Sequence, residues 1–473
     1  MYYDIHCHLF NKDFLVKELL YRLLIEIKKL LSVEDQKQRG LISDNFKKKI
    51  RILKRVAGFL KTGIKQDSTA IYSELCSLYK DEDFIITPLM FDLTWCFSSA
   101  ADRAYMDSDQ IIQMIELEIS NSFQNNFRDV TGIDQDLQNK IIKQVNEIKE
   151  FLIEWQENQR LNIQRRSFVD SFTLPGPNDG FNEQIRQLAE LKYSSGNEFK
   201  IYPFLAVDPR RQGIIDYALA NVGDGKLFAG IKLYTPNGYS PTDPLLFGDR
   251  NKNSGLYSFC EMNNIPVTVH NSFGGFATLA NEVKVNGHVW VNNEIVYLEN
   301  SILKFEHKIT KGNSAIEERA NKLNNPSLWE IVINKFPKLQ LNLAHFGGGN
   351  ELLKALNNPS DQQLWSNKII SLITDPNFNV YTDISCMGID DIPALRKLRK
   401  QKEFEKIKAR VLFGSDFYLC KLFDDNLGKT LKKFKEIFKD DFEILAHNNP
   451  ERFLGGTICK TTEIIDEQRI ISI

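Results

Sequence analysis

A chain of 473 residues with 42% apolar and 26% charged residues has the composition of a globular protein, long enough for one large domain or two or three ordinary ones. With 60 Lys and Arg against 62 Asp and Glu, the net charge of −2 gives no electrostatic case for nucleic acid or an anionic membrane as partner. Seven scattered cysteines, odd in number and without CxxC spacing, point to a reducing compartment and away from a disulfide framework.

The chain opens on an apolar run, residues 2–10, that reads as a buried strand and leaves no room for a basic leader. A cytoplasmic protein is the expectation. Inside that run lies Asp4-Ile5-His6-Cys7-His8. Side chains two apart on a strand share a face, so His6 and His8 project together and can reach one cation. Imidazole suits zinc and neighbouring divalent metals.

Next comes a helix with the apolar stripe Val16, Leu19, Leu20, Leu23, Ile27, Leu30 and Leu31, too interrupted by charge to span a bilayer. Helical, Lys-rich sequence continues to about residue 80, and a second strand follows at 84–93. Residues 107–166 are again helical and charged, closed by a Pro/Gly-rich break at 174–180. The segments 13–80 and 100–180 therefore read as helical insertions on a scaffold.

Strand-like runs then recur at 199–207, 228–234, 265–270, 339–345, 378–385 and 410–416, most of them separated by helical sequence. Eight strands alternating with helices argue for a parallel sheet closed into a single (β/α)8 barrel of the TIM type, an α/β fold. Within 277–325, alternation with Asn-Gly and Asn-Asn turns predicts a β-hairpin insertion. Such barrels place their chemistry at the C-terminal strand ends. His6 and His8 end the first strand, His270 the fifth, His345 the sixth and Asp416 the eighth. One histidine there is ordinary; four with a terminal carboxylate predict a metal site.

These elements resemble the amidohydrolase superfamily, in the branch similar to aminocarboxymuconate-semialdehyde decarboxylase. The matching stretches are DIHCH (4–8), GIKLY (230–234), VTVH (267–270), LNLAHFGGG (341–349), VLFGSD (411–416) and NNPERFLG (448–455). The resemblance implies that His6, His8, His270 and Asp416 hold one divalent metal, with His345 beside the water it activates. Zinc is the default ion on ligand type; manganese or iron(II) suits the same donors.

Asp416 could then act as general base and acid, making the protein a metal-dependent hydrolase of an amide, ester or lactone. The same site would serve a non-oxidative decarboxylase or hydratase of an unsaturated or aromatic acid, and a non-catalytic binding barrel is the third alternative. His345 could polarise the carbonyl, steer the water or bind a second metal; one metal is the preferred reading. Lys232, on the fourth strand, is expected to pair with a substrate carboxylate or a neighbouring Asp. Arg210, just after the third strand, is either a carboxylate clamp or half of a solvated pair with Arg211. Asp92 and Asp383 are candidate partners for ligand imidazoles. The expected partner is a small molecule, with a homodimer through the insertions as a further option.

Overall fold

The structure, a computed structural model, describes residues 1–10, 67–79, 83–92, 94–96, 180–193, 200–308, 313–424 and 426–455, with isolated positions from 55 to 63 and at 143, 146 and 150. The helix expected at 14–31 lies outside the described residues, as do nearly all of 107–166 and most of both predicted insertions. No described helix is long and apolar enough to cross a membrane.

Strands β1 (Tyr2–Cys7), β2 (Phe84–Pro88) and β3 (Lys200–Ile201) pair in parallel as one sheet. Strands β4 (Phe204–Ala206), β5 (Gly230–Leu233) and β6 (Val267–Ser272) belong to a second. After the hairpin strands β7 (Glu282–Val291) and β8 (Glu294–Lys304), it continues with β9 (Leu341–Gly347), β10 (Val380–Asp383) and β11 (Val411–Leu412), in the order β11-β10-β9-β6-β5-β4. β3 and β4 are two halves of one predicted strand. They flank Pro203, which has no N–H to donate, and the pairing changes sheet across it.

Two seams join the sheets. At one, Leu89 bridges Phe204 in parallel, and Met90 N donates to Phe204 O at 3.1 Å. At the other, Ile5 N donates to Phe413 O at 3.2 Å, Asp416 N donates to His6 O at 2.7 Å, and Cys7 bridges Phe417 in parallel. With β3 and β4 counted as one, eight parallel strands thus return to the first. This is the closed (β/α)8 arrangement that the alternation predicts.

Helices cross over between successive strands, as parallel pairing requires. They include α1 (Ser68–Leu78), α2 (Phe181–Tyr193), α3 (Ile214–Asn221), α4 (Leu256–Met262), α5 (Pro326–Lys335), α6 (Trp365–Thr374) and α7 (Ile392–Lys400). Their apolar stripes pack on the strands. Ile185, Leu188, Trp329, Val332, Ile369 and Leu395 are buried with Ile231, Val267, Leu341 and Val380 in one cluster. α1 starts on Asp67, whose side chain accepts from Ala70 N at 2.9 Å. The hairpin β7–β8 is antiparallel and outside the barrel. Its inner face, Val283, Val285, Val289 and Leu303, makes a separate small core.

The N-terminal strand is locked by Asp4. This buried carboxylate accepts from Ser415 N at 2.9 Å, Ser415 Oγ at 2.6 Å, Tyr79 OH at 2.8 Å and His6 N at 3.3 Å. It ties β1 to the chain leaving β11 and to the residue that ends α1. Replacing Asp4 by Ala leaves several buried donors without an acceptor, each costing about 1–3 kcal/mol. Urea unfolding of Asp4→Ala should show a loss of about 3 kcal/mol or more, whereas a change near zero would mean that this junction does not hold the strand.

Candidate metal centre

The seam that closes the barrel also assembles the site. Because Asp416 N bonds to His6 O, the end of the eighth strand lies against the end of the first. Gly414 permits this approach, since a Cβ there would sit 2.6 Å from the Cβ of His6. Three strand ends turn through left-handed backbone: φ is 72° at His345, 59° at Cys386 and 54° at Asp416. Non-glycine residues in that region cost of order 1–3 kcal/mol each and concentrate at functional sites.

His6 and His8 project together, with ring centroids 5.5 Å apart, and both are buried. His8 Nδ1 lies 2.8 Å from Leu89 O. A carbonyl only accepts, so Nδ1 carries the proton and Nε2 keeps its lone pair. His6 Nδ1 lies 3.0 Å from Asp383 Oδ2, which imposes the same tautomer. The bare Nε2 atoms of His8 and His6 then face Asp416 Oδ1 at 3.2 and 3.6 Å. That oxygen is buried and has no hydrogen-bond donor among the described residues. Two imidazole nitrogens and a carboxylate oxygen thus converge, with Lys232 Nζ 3.4 Å from the nitrogen of His6, and a metal ion among them would satisfy all three. These three side chains present atoms that lie within 4.8 Å of one another, as a metal-binding group requires.

Burial pulls the His6 imidazole down to about 3, helped by the nearby Lys232 ammonium and opposed by Asp383, so it is neutral at pH 7. Burial raises the pKa of the Asp416 carboxyl, while the contact with His8 and the field of the surrounding imidazoles when protonated lower it, and the net direction is below the usual range. Neutral imidazole and ionised carboxylate are the forms that ligate.

Beneath this group sits Asp383. It accepts from His6 Nδ1, from Asn342 Nδ2 at 2.8 Å, and from the backbone N–H groups of His345 and Ser385 at 2.9 and 3.1 Å. Ser385 Oγ donates to it at 2.5 Å. Burial alone would raise its pKa, yet these donors and the two imidazoles keep it well below the carboxylate range. Of the carboxylates named from sequence as imidazole partners, Asp383 has that position. Asp92 does not: it pairs with buried Arg211, Nε to Oδ2 at 2.7 Å and Nη2 to Oδ1 at 3.0 Å.

His345 joins the same cluster, its ring 4.7 Å from His6 and 4.8 Å from His270. His270 lies stacked on Tyr234 at 4.3 Å, and its Nε2 faces Gly274 O at 2.9 Å. It therefore shares the mouth, with that nitrogen turned to the glycine loop rather than to His6 and His8. Lys232 is buried, with Nζ 3.4 Å from His6 Nε2. Burial brings its pKa down to about 8 against the pull of Asp383 and Asp416. It lines a small pocket with Met90, Phe91, Tyr234 and Asn237.

Arg210 borders the region but is engaged. Nε donates to Asp208 Oδ1 at 2.8 Å and Nη2 to Asp208 Oδ2 at 2.5 Å, while Nη2 also reaches Asn237 O at 3.1 Å. A guanidinium fork already closed on one carboxylate is not open to clamp another. Ser385 and Asn342 are the members that the sequence reading did not single out. The signal for Ser385 was there: Asp383-Ile384-Ser385 repeats the two-residue spacing of His6 and His8 at another strand end.

Residues 179–456, more than half of the chain, match the protein family described as Amidohydrolase. The chain belongs to the amidohydrolase family. The match contains His270, His345, Asp383 and Asp416, whereas the N-terminal histidine pair precedes it. Similar solved structures include 5-carboxyvanillate decarboxylase from Novosphingobium aromaticivorans, complexed with manganese, at 10% identity over 96% of each chain and a TM-score of 0.38. Another is 2,6-dihydroxybenzoate decarboxylase from Rhizobium, 14% identical over 63% of this chain and 87% of that one, with a TM-score of 0.34. Dihydroorotase from Campylobacter jejuni is 15% identical over 57% of this chain and 70% of its own, with a TM-score of 0.29. No curated protein sequence matches the chain.

The Asp92–Arg211 pair gives a test of the site's frame. Asp92→Ala strands a buried guanidinium and should cost about 3–5 kcal/mol in denaturant unfolding. A loss under about 1 kcal/mol would place the pair among those that contribute little.

Proposed function

We propose that this amidohydrolase is a metal-dependent hydrolase acting on a small carboxylate-bearing substrate with an amide, ester or lactone carbonyl. The observation that carries the reading is the convergence in a buried site of His6 Nε2, His8 Nε2 and Asp416 Oδ1, an oxygen with no hydrogen-bond partner among the described residues. The donor set, imidazole nitrogens and one carboxylate, fits a single divalent ion, zinc by default and manganese or iron(II) by the same chemistry. His270 completes the set only if its ring turns from Gly274, which makes it the ligand whose contribution depends most on loading.

A divalent ion bound there would polarise a carbonyl and lower the pKa of a water toward about 7. The remaining work belongs to the chain. Asp416 is the proton carrier: it takes the proton as the water oxygen bonds to the carbonyl carbon, then returns it to the leaving group as that bond breaks. Lys232, still mostly an ammonium at pH 7, holds the substrate carboxylate at the pocket wall. Asp383 fixes the tautomer of His6, and Leu89 O that of His8. Arg210 is paired with Asp208 and is left out of this reading.

A second ion is not required. The only other metal-compatible group among the described residues, His6, His345 and Asp383, has the Ser385 hydroxyl among its members, at 3.1, 2.9 and 2.5 Å.

The metal-loaded protein, given lactones, esters and amides that carry a carboxylate, should hydrolyse at least one class. Chelation should abolish this and zinc restore it. Asp416→Asn should lower kcat by about 100-fold or more, the scale of a lost proton carrier. Release of CO2 from aromatic acids, with no hydrolysis in the panel, would replace this reading with the decarboxylase alternative.

A further inference from the structure

Ser385 stands at the centre of the polar network without any role in the proposed chemistry. Its Oγ donates to Asp383 Oδ1 at 2.5 Å and lies 2.9 Å from His345 Nδ1. A hydroxyl has one proton, and that proton is committed to Asp383. Toward His345 the oxygen can therefore only accept. The backbone carbonyl of Ser385, 3.4 Å from the same Nδ1, can also only accept. Both contacts demand a proton on His345 Nδ1, and the neutral ring then has its lone pair on Nε2.

We propose that Ser385 is a positioning residue that fixes His345 as the Nδ1–H tautomer, so that His345 meets the reacting groups as a hydrogen-bond acceptor at Nε2. One carboxylate thereby sets two rings: Asp383 orients His6 directly and His345 through the serine hydroxyl. A consequence for chemistry follows. In this state His345 cannot donate a hydrogen bond from Nε2 to a substrate carbonyl. An incoming water can instead donate to His345 Nε2 the hydrogen bond of its second proton, while the first passes to Asp416. That role rests on the hydrolase reading, whereas the tautomer itself does not.

The test uses the full-length, metal-free protein labelled with 15N at histidine, without substrate. Long-range proton–nitrogen correlations report which ring nitrogen bears hydrogen, and a His345→Gln spectrum assigns the signal. Wild type should show protonated Nδ1 and bare Nε2 at His345. Ser385→Ala should shift the tautomer ratio toward Nε2–H by about five- to tenfold, the equilibrium equivalent of one hydrogen bond. Ser385→Thr, which keeps the hydroxyl, should restore the wild-type pattern. A wild-type His345 already protonated on Nε2, or an Ala variant with an unchanged ratio, would overturn the proposal. If the Ala variant does not fold, the wild-type and Thr spectra still decide it. Failure of the hydrolase assays would leave this result untouched.

Discussion

Everything in this structure turns on how the chain gathers imidazole lone pairs and a carboxylate oxygen at one buried point. Leu89 O and Asp383 claim the Nδ1 protons of His8 and His6, so both rings turn bare nitrogens to Asp416. Protein interiors do not leave such an arrangement uncompensated, because burying an unpaired carboxylate oxygen is expensive. A cation resolves it at once. The closed barrel is the device that holds the converging groups together: backbone bonds between the first and last strands, and the anchor at Asp4, keep His6 and Asp416 from drifting apart.

The same economy shows in Asp383. A single carboxylate meets two side-chain donors of its own strand neighbours, two backbone N–H groups and an imidazole, so it can stay ionised while fully buried. That stability gives the site a fixed negative charge beneath the candidate metal position. Left-handed backbone at His345, Cys386 and Asp416 aims three strand ends inward, at a conformational cost carried by the surrounding barrel.

Much of this was legible before any coordinates. The eight apolar runs alternate with helical sequence, and the histidines fall at their ends, because a parallel barrel buries its strands and exposes only their C-terminal tips. The two-residue spacing of His6 and His8 is a direct consequence of the pleat. What escaped the sequence is what depends on distant partners. Asp92 reads as a partner for a ligand imidazole; only the fold brings Arg211 to it. The engagement of Arg210 is local, since Asp208-Pro209-Arg210 makes a turn in which the arginine's own N–H and side chain return to Asp208. The break at Pro203 was hidden inside a run that looks continuous in hydrophobicity. The side chain of His270 escaped for a different reason: its strand position follows from sequence, but its ring orientation is a choice between the glycine loop and the centre.

The central claim is that these residues form one cation site. Metal analysis of the purified protein, after dialysis against zinc and removal of excess, measures it most directly. The account predicts one tightly held divalent ion per wild-type chain and a loss of most of it in a folded His6→Ala or Asp416→Ala variant. A wild-type chain that retains no ion, or variants that retain it fully, would contradict the account.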